Sequence, residues 1–298
     1  MTEVSGMLHR PDWIDTHVHF WDLRHPEVSY DWLGPDAIHP ILGAIDQMKS
    51  VRYDLDALHA ESRFAGTVAA VHVQAAVGTP DPVLETEWLT ELAAAGPIPL
   101  LIVAALDLAA ADVDAQLDRH LASPLVRGVR DFGRGDYLVD PAWRRGVARL
   151  AERGLLLDLD CAWQNMIKAR DLAREHPSAV IVLEHLGYPR ETASPEYFEH
   201  WKQGITALAE ADNVHCKISG LGMNRAGWTP ESLRPWVEHC LDSFTPDRCV
   251  LGSNWPLDRL WASYPDYVDA LNVILARYTE AEARAVRVDN ARRLYRFG

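Results

Sequence analysis

The stretch that decides the fold is W-I-D-T-H-V-H-F-W-D, Trp13 to Asp22. It is apolar and strand-like, yet it carries acids and two histidines. In a regular strand, residues two apart share a face. The spacing therefore predicts that Asp15, His17 and His19 point one way, and Thr16 and Val18 the other. Two histidines at i and i+2 converge on one point. Such a pair suits a metal ion or a substrate oxygen; structural polar packing is the alternative.

Seven further short apolar runs follow. With the first, they predict strands at Trp13–His17, Thr67–Gln74, Ile98–Ala104, Val126–Asp131, Leu155–Asp160, Ala179–Glu184, Val214–Ile218 and Cys249–Gly252. Helical patterns lie between them. Asp81-Pro82, Asp140-Pro141 and Thr229-Pro230 each set a capping residue before a proline at a helix start. Thr279 and Glu282 form a capping box that opens a last helix running to about Tyr295. Strands mostly apolar where both faces should be buried, alternating with helices, predict a parallel sheet. Eight such units in 298 residues predict an α/β fold, a (β/α)8 TIM barrel. An open doubly wound sheet is the alternative, but no G-x-G-x-x-G follows the first strand and no P-loop occurs.

No linker, repeat or low-complexity segment divides the chain. One domain is expected over residues 1–298, with 1–12 as an N-terminal extension. A long loop after strand 1, Trp21 to Arg52, is rich in aromatics, proline and histidine. A second long loop, Gly220 to Pro230, follows strand 7. Barrel active sites lie at the C-terminal ends of the strands, where both loops emerge.

Composition narrows the function classes. Hydrophobic residues make up 48% of the chain and charged residues 24%, which excludes a disordered chain. The net charge of -14 argues against nucleic acid or an anionic membrane as partner. The four cysteines, Cys161, Cys216, Cys240 and Cys249, form no C-x-x-C pair and read as reduced core thiols. The M-T-E-V-S-G start has no apolar signal region, and no apolar run approaches ~18 residues. A soluble, cytoplasmic protein acting on a small molecule is expected; the oligomeric state is open.

Polar residues gather at the predicted strand ends. Strand 2 ends in H-V-Q-A, which puts His72 and Gln74 on one face. Strand 4 brings Arg130 or Asp131 to the mouth, unless the two form a surface ion pair. Strand 5 offers Asp158 and Asp160; two buried carboxylates are costly without partners, so Asp160 is expected at the mouth. Strand 6 closes on Glu184 and His185. Lys217 interrupts strand 7 and needs a carboxylate, an anion or an escape to solvent. Asn254 follows strand 8.

These residues carry a resemblance. D-x-H-x-H at Asp15, His17 and His19, followed by F-W-D, resembles the first-strand motif of the amidohydrolase superfamily. It is most similar to the "amidohydrolase 2" branch of sugar-lactone and pyrone-dicarboxylate lactonases and related decarboxylases. H-V-Q-A (72–75), R-G-V-R (127–130), E-H-L-G-Y-P (184–189), H-C-K-I-S-G-L (215–221), F-T-P-D-R-C-V-L-G-S-N-W-P (244–256) and N-A-R-R-L-Y-R (290–296) match in order. The resemblance implies a barrel hydrolase in which His17, His19 and His185 polarise a substrate carbonyl. They do so directly or around one divalent, Zn-like ion, since some relatives hold a metal and others none. It also implies an aspartate after strand 8 that activates water.

This chain has Asn254 in that place, and E-H where D-H is usual. Asparagine cannot take a proton at neutral pH. Four readings follow: another base acts, with Glu184, Asp160, Asp258 and His185 as candidates; the chain is a variant altered to trap substrate; Asn254 is an oxyanion donor; or catalysis is lost and binding kept. The expectation is hydrolysis of a small lactone or related carbonyl compound that carries a carboxylate or hydroxyls. Arg130 or Lys217 would bind that group, with Gln74, His72 and Asp258 nearby. Trp21, Trp32, Trp163 and Trp255 either wall the ring or are ordinary packing. A metal-dependent decarboxylase and a catalytically silent binding barrel are the competing readings.

Overall fold

The computed structural model describes residues 10–223 and 227–298, so residues 1–9 of the expected N-terminal extension and 224–226 of the second long loop lie outside the described residues. Eight parallel strands follow one another in a single sheet: β1 Trp13–Val18, β2 Thr67–Val73, β3 Leu100–Ala105, β4 Val126–Asp131, β5 Leu156–Leu159, β6 Val180–Leu183, β7 Val214–Ile218 and β8 Cys249–Leu251. The last strand returns to the first. The Asn254 amide donates to the His17 carbonyl (2.8 Å), the His19 amide donates to the Trp255 carbonyl (2.8 Å), and Thr16 Oγ1 donates to the Leu251 carbonyl (2.7 Å). A nearly closed (β/α)8 barrel results, as the count of strands predicts. β4 and β7 have the expected bounds, and the others differ from them by a residue or two.

The helices that wrap it start where polar caps meet prolines. Asp140 accepts from the Ala142 and Trp143 amides to open the helix Pro141–Glu152. Thr229 and Ser232 cap each other to open the helix Pro230–Phe244. Asp81 accepts from the Val83 amide, so the helix Val83–Ala94 begins a residue later than its proline suggests. The Thr279–Glu282 capping box is present, and the chain is helical from Glu280 to Tyr295 with a π turn at Ala285–Asp289. Val288, Ala291 and Tyr295 of this last helix pack against Ile14, Ala69, Leu101, Leu156 and Val250. They close the bottom of the barrel and leave the other end for a site. All four cysteines are free and buried. No helix among the described residues is long and apolar enough to cross a membrane.

Strict alternation fails in β1, with consequences for the site. Asp15 pairs with Ala70 but Val18 pairs with His72, so β1 holds one residue more than β2 over this span. That extra residue is a bulge. It turns both Thr16 and His17 toward the barrel axis and leaves Asp15 facing the helices. There Asp15 accepts from the Ser253 amide (2.8 Å), Ser253 Oγ (2.6 Å) and Tyr264 OH (2.8 Å). The expectation that Asp15 shares a face with the histidines is thereby corrected.

Two histidines outside the site, the buried His120 and the half-buried His215, make the fold sensitive to acid. Burial pulls His120 down to about 4, and burial with Arg248 and Arg293 does the same to His215. An unfolded histidine takes its proton near pH 6.5, whereas these resist until about 4, so each costs stability as pH falls across that interval. The melting temperature of His215→Gln relative to wild type is expected to rise steadily from pH 6.5 to pH 4. A constant difference would count against a neutral His215 in the folded chain.

Candidate active site

The C-terminal ends of the strands surround a cavity of about 430 Å³. Its floor and walls include His19, Gln74, Arg130, Asp160, His185 and Asn254. The long loop after β1 folds over it. A two-residue pairing of Trp21–Asp22 with Arg52–Tyr53 anchors that loop at its ends, and Trp32, His39, Pro40 and Ile41 reach the cavity.

The histidines form a chain. His19 Nδ1 lies 2.7 Å from the Val73 carbonyl, and its Nε2 lies 3.1 Å from His17 Nε2. His17 Nδ1 faces Glu184 Oε1 at 3.4 Å. His185 Nδ1 lies 2.8 Å from Ser219 Oγ. Burial lowers the basicity of all three rings and Arg130 lowers it further, opposed at His185 by the charge of Glu184, and the net direction favours the neutral imidazole. Two glycines make room for them. A Cβ at Gly252 would lie 2.6 Å from His17 Cβ. One at Gly220, whose φ is +62°, would lie 2.6 Å from His185 Nδ1.

Arg130 and Glu184 are a buried ion pair behind the rings. Arg130 donates through Nη1 to Glu184 Oε2 (3.3 Å), through Nε to Gln74 Oε1 (3.1 Å) and through Nη2 to the Gln74 carbonyl. Tyr188 OH donates to Glu184 Oε2 at 3.2 Å. Burial alone would raise the Glu184 carboxyl, but the Arg130 and Lys217 cations outweigh it and hold it below its ordinary value. Asp160 is different. Arg130 is committed elsewhere, so Asp160 has no direct ion pair among the described residues. Burial and the charge of Glu184 push its carboxyl up to about 6.

The backbone is unusual here. His185 (φ 50°), Leu186 (φ 53°), Tyr188 (φ 53°) and Asn254 (φ 60°) all lie in the left-handed region. That conformation is costly for most side chains and tolerated best by Asn and Asp. It directs the residue after β8 toward the mouth.

Several residues read from the sequence as facing substrate lie elsewhere. His72 is outside the barrel wall, where its Nδ1 accepts from the Phe20 amide (3.2 Å) and its Nε2 faces Glu85 (3.2 Å). The bulge has not moved it; it simply sits on the outward face of β2. Lys217 lies beneath the cavity in an ion pair with Asp158. Asp258 is buried behind Asn254, accepts from the Gly222 amide (3.2 Å), and is pushed up to about 7 by burial. Trp21 and Trp255 are fully buried in the wall, their indole N–H groups donating to Ser50 O and Glu61 Oε2. Trp163 stacks on His200 away from the site; Trp32 does line the cavity. Of the strand 4 pair it is Arg130 that faces in, while Asp131 turns out to hold the Leu108 amide and the Trp143 indole. His39, Phe132, Tyr188, Arg190 and Met223, none of them among the expected site residues, also line the cavity. Only Tyr188, inside E-H-L-G-Y-P, carried a signal.

The donor atoms of His17, Glu184 and His185 all lie within 4.8 Å of one another, a set that could hold a metal ion. Glu184 stands in it where His19 was expected. Residues 14–297 match the family model described as Amidohydrolase. The chain belongs to the amidohydrolase family. A Sinorhizobium fredii relative, the uncharacterised protein y4mH, is 35% identical over 295 residues, covering 95% of this chain and 98% of that one. An L-fucono-1,5-lactonase of Burkholderia ambifaria is 29% identical over 260 residues, covering 85% and 83%. The crystal structure of an amidohydrolase from Burkholderia multivorans with bound Zn superimposes with a TM-score of 0.82 at 26% identity, covering 96% of this chain and 100% of that one.

Proposed function

We propose that this amidohydrolase opens a small hydroxylated lactone, a ring ester of the sugar-acid type, by attack of water on its carbonyl carbon. One observation carries the reading. A carboxylate without an ion pair, a guanidinium and an imidazole, those of Asp160, Arg130 and His185, line one cavity at the strand ends. The lactonase relative supports the choice of ester. The cavity's size falls within the ~300–1,000 Å³ usual for small-molecule sites.

The chemistry follows from which groups are free. Arg130 keeps two N–H groups beyond those given to Gln74 and Glu184, and these, with His185 as an N–H donor when no ion is bound, favour negative charge developing on the carbonyl oxygen. Asp160 accepts the proton of the attacking water, being the cavity carboxylate not held by Arg130. The ring C–O bond then breaks, and the same proton passes to the departing ring oxygen, leaving an open hydroxy acid. Trp32 offers an apolar wall, and Gln74 and Arg190 offer polar contacts for hydroxyls. The unpartnered buried atoms His17 Nδ1 and Glu184 Oε1 fit a divalent ion. Bound by His17, His185 and Glu184, it would polarise the carbonyl and acidify water. Asn254 donates its amide toward Asp258 (3.5 Å) and takes no proton.

A panel of aldonolactones, simple esters and amides, followed with a pH indicator, tests this. Lactones should acidify the medium in proportion to ring opening. Turnover confined to CO₂ release from aromatic acids would make the chain a decarboxylase instead. No turnover of any compound would leave a binding barrel.

A further inference from the structure

Beside the active-site cavity lies a larger space, of about 650 Å³, that the mechanism leaves unused. It is a groove formed by the loops after β2 (residues 76–82), β3 (105–110) and β4 (131–140), at the same end of the barrel. Gln74, Val77, Arg130 and Phe132 line both spaces and form the ridge between them. Each space falls within the ~300–1,000 Å³ usual for one small-molecule site.

The ridge presents an apolar face to solvent. Phe132 is 46% exposed, and its ring lies against the Arg130 guanidinium at 4.6 Å. The long loop after β1 covers the first space and not the second. Trp32, His39, Pro40 and Ile41 reach the active-site cavity, whereas no described residue of that loop lines the groove. Its edge is pinned along the loop after β2, where the Asp31 amide donates to the Val77 carbonyl (2.8 Å) and the Ser29 amide donates to Thr79 Oγ1 (2.7 Å).

The groove's polar groups point to a class of occupant. Arg134 offers a guanidinium with no ion pair or hydrogen bond among the described residues. Asp107 spends Oδ1 on the Ala109 amide (2.9 Å) and keeps Oδ2. Gln116 spends its amide nitrogen on Asp112 (2.9 Å) and keeps its carbonyl oxygen. An anion in the groove would meet Asp107 as well as Arg134, and a cation would meet Arg134 and Arg130. Hydroxyl groups suit both kinds of partner, because each donates one hydrogen bond and accepts others. The exposed phenyl face, negative at its centre, suits the C–H face of a sugar ring.

We propose that the lactone carries a second sugar ring. The lactone ring lies in the active-site cavity, the glycosidic link crosses the ridge at Phe132, and the outer ring lies in the groove. Water opens only the ring ester, and the link stays whole. This inference rests on the reading of the chain as a lactone hydrolase, and it narrows the substrate to the aldonolactone of a disaccharide.

Matched compounds test it with the full chain. Aldono-1,5-lactones with gluco, galacto and manno rings are each compared with their 4-O- and 6-O-hexosyl forms, and the open acids are compared by calorimetric binding. In at least one pair the outer ring should raise kcat/KM about tenfold, the worth of one hydrogen bond to a charged group, and the disaccharide acid should bind about tenfold tighter than its parent. Ala109→Trp fills the groove from its exposed side. It should abolish both gains and leave kcat/KM for the parent lactone as it was. Should that variant fail to fold, as judged by its melting curve, Arg134→Ala is read in its place and should cut the gains several-fold. No gain in any pair overturns the proposal, and so does a gain that persists in full in the groove variant tested. Parent lactones opened with no gain from an outer ring keep the hydrolytic reading and lose this one. Tighter binding of a disaccharide acid, lost in the groove variant, with no lactone opened, keeps the outer-ring site and removes the hydrolytic reading.

Discussion

Asp160→Asn is expected to lower kcat/KM for lactone opening by about 10²–10⁴-fold, the share a positioned general base supplies. The same change should remove the acid limb of the pH profile. The sign follows from the direction of the shift. A base acts only when deprotonated, and burial pushes the Asp160 carboxyl up to about 6. Wild-type kcat/KM should therefore fall as pH drops through about 6, while the variant's small residual rate stays flat there. Two controls separate Asp160 from its neighbours. Asp258→Asn should retain the acid limb, because Asp258 lies behind Asn254 and does not line the cavity. Asn254→Asp should change the rate far less than Asp160→Asn. If Asn254→Asp instead raised turnover by orders of magnitude, position 254 would be the disabled base and Asp160 a bystander.

The architecture was legible because it depends on burial. β3 (Leu100–Ala105) and β6 (Val180–Leu183) are continuous in apolar residues, and such runs announce strands covered on both faces. The caps at Asp140, Thr229 and Thr279 were legible because a short side-chain acceptor beside a helix start has one dominant use. The site was legible only as a list of residues. Period two predicts which side chains share a face, but it presumes no bulge, and the extra residue at Thr16–His17 separates Asp15 from the histidines. The alternation put His72 and Gln74 together, yet β2 ends at Val73 and Gln74 is already free of its pleat. His39 and Arg190 reach the cavity from loops, and the shape of a loop is not periodic. Glu184 was named as a catalytic base candidate without its pairing; that Arg130, Tyr188 and His17 all meet it is a fact of three different strand ends.

Lys217 shows what depth adds, and it carries the largest expected effect on stability. The sequence marks it as a charge that interrupts a strand, and a substrate anion is one natural partner. In the fold its side chain is fully buried below the cavity, paired with Asp158 and set over the Tyr295 ring of the C-terminal helix (5.7 Å). Asp158 is fully buried too, and its Oδ1 has no hydrogen-bond partner. Lys217→Met would leave that carboxylate uncompensated beside Glu184. Breaking a buried pair in this way costs about 3–5 kcal/mol. At roughly 2–4 °C per kcal/mol for a large domain, the melting temperature should fall by about 10 °C. Removing both charges should behave differently, since a buried pair replaced by apolar side chains is often neutral or stabilising by ~1–4 kcal/mol. Lys217→Met with Asp158→Leu is therefore expected to recover most of the lost melting temperature. A substrate-binding lysine predicts another pattern: Lys217→Met would raise KM with little change in melting, and the second substitution would rescue nothing.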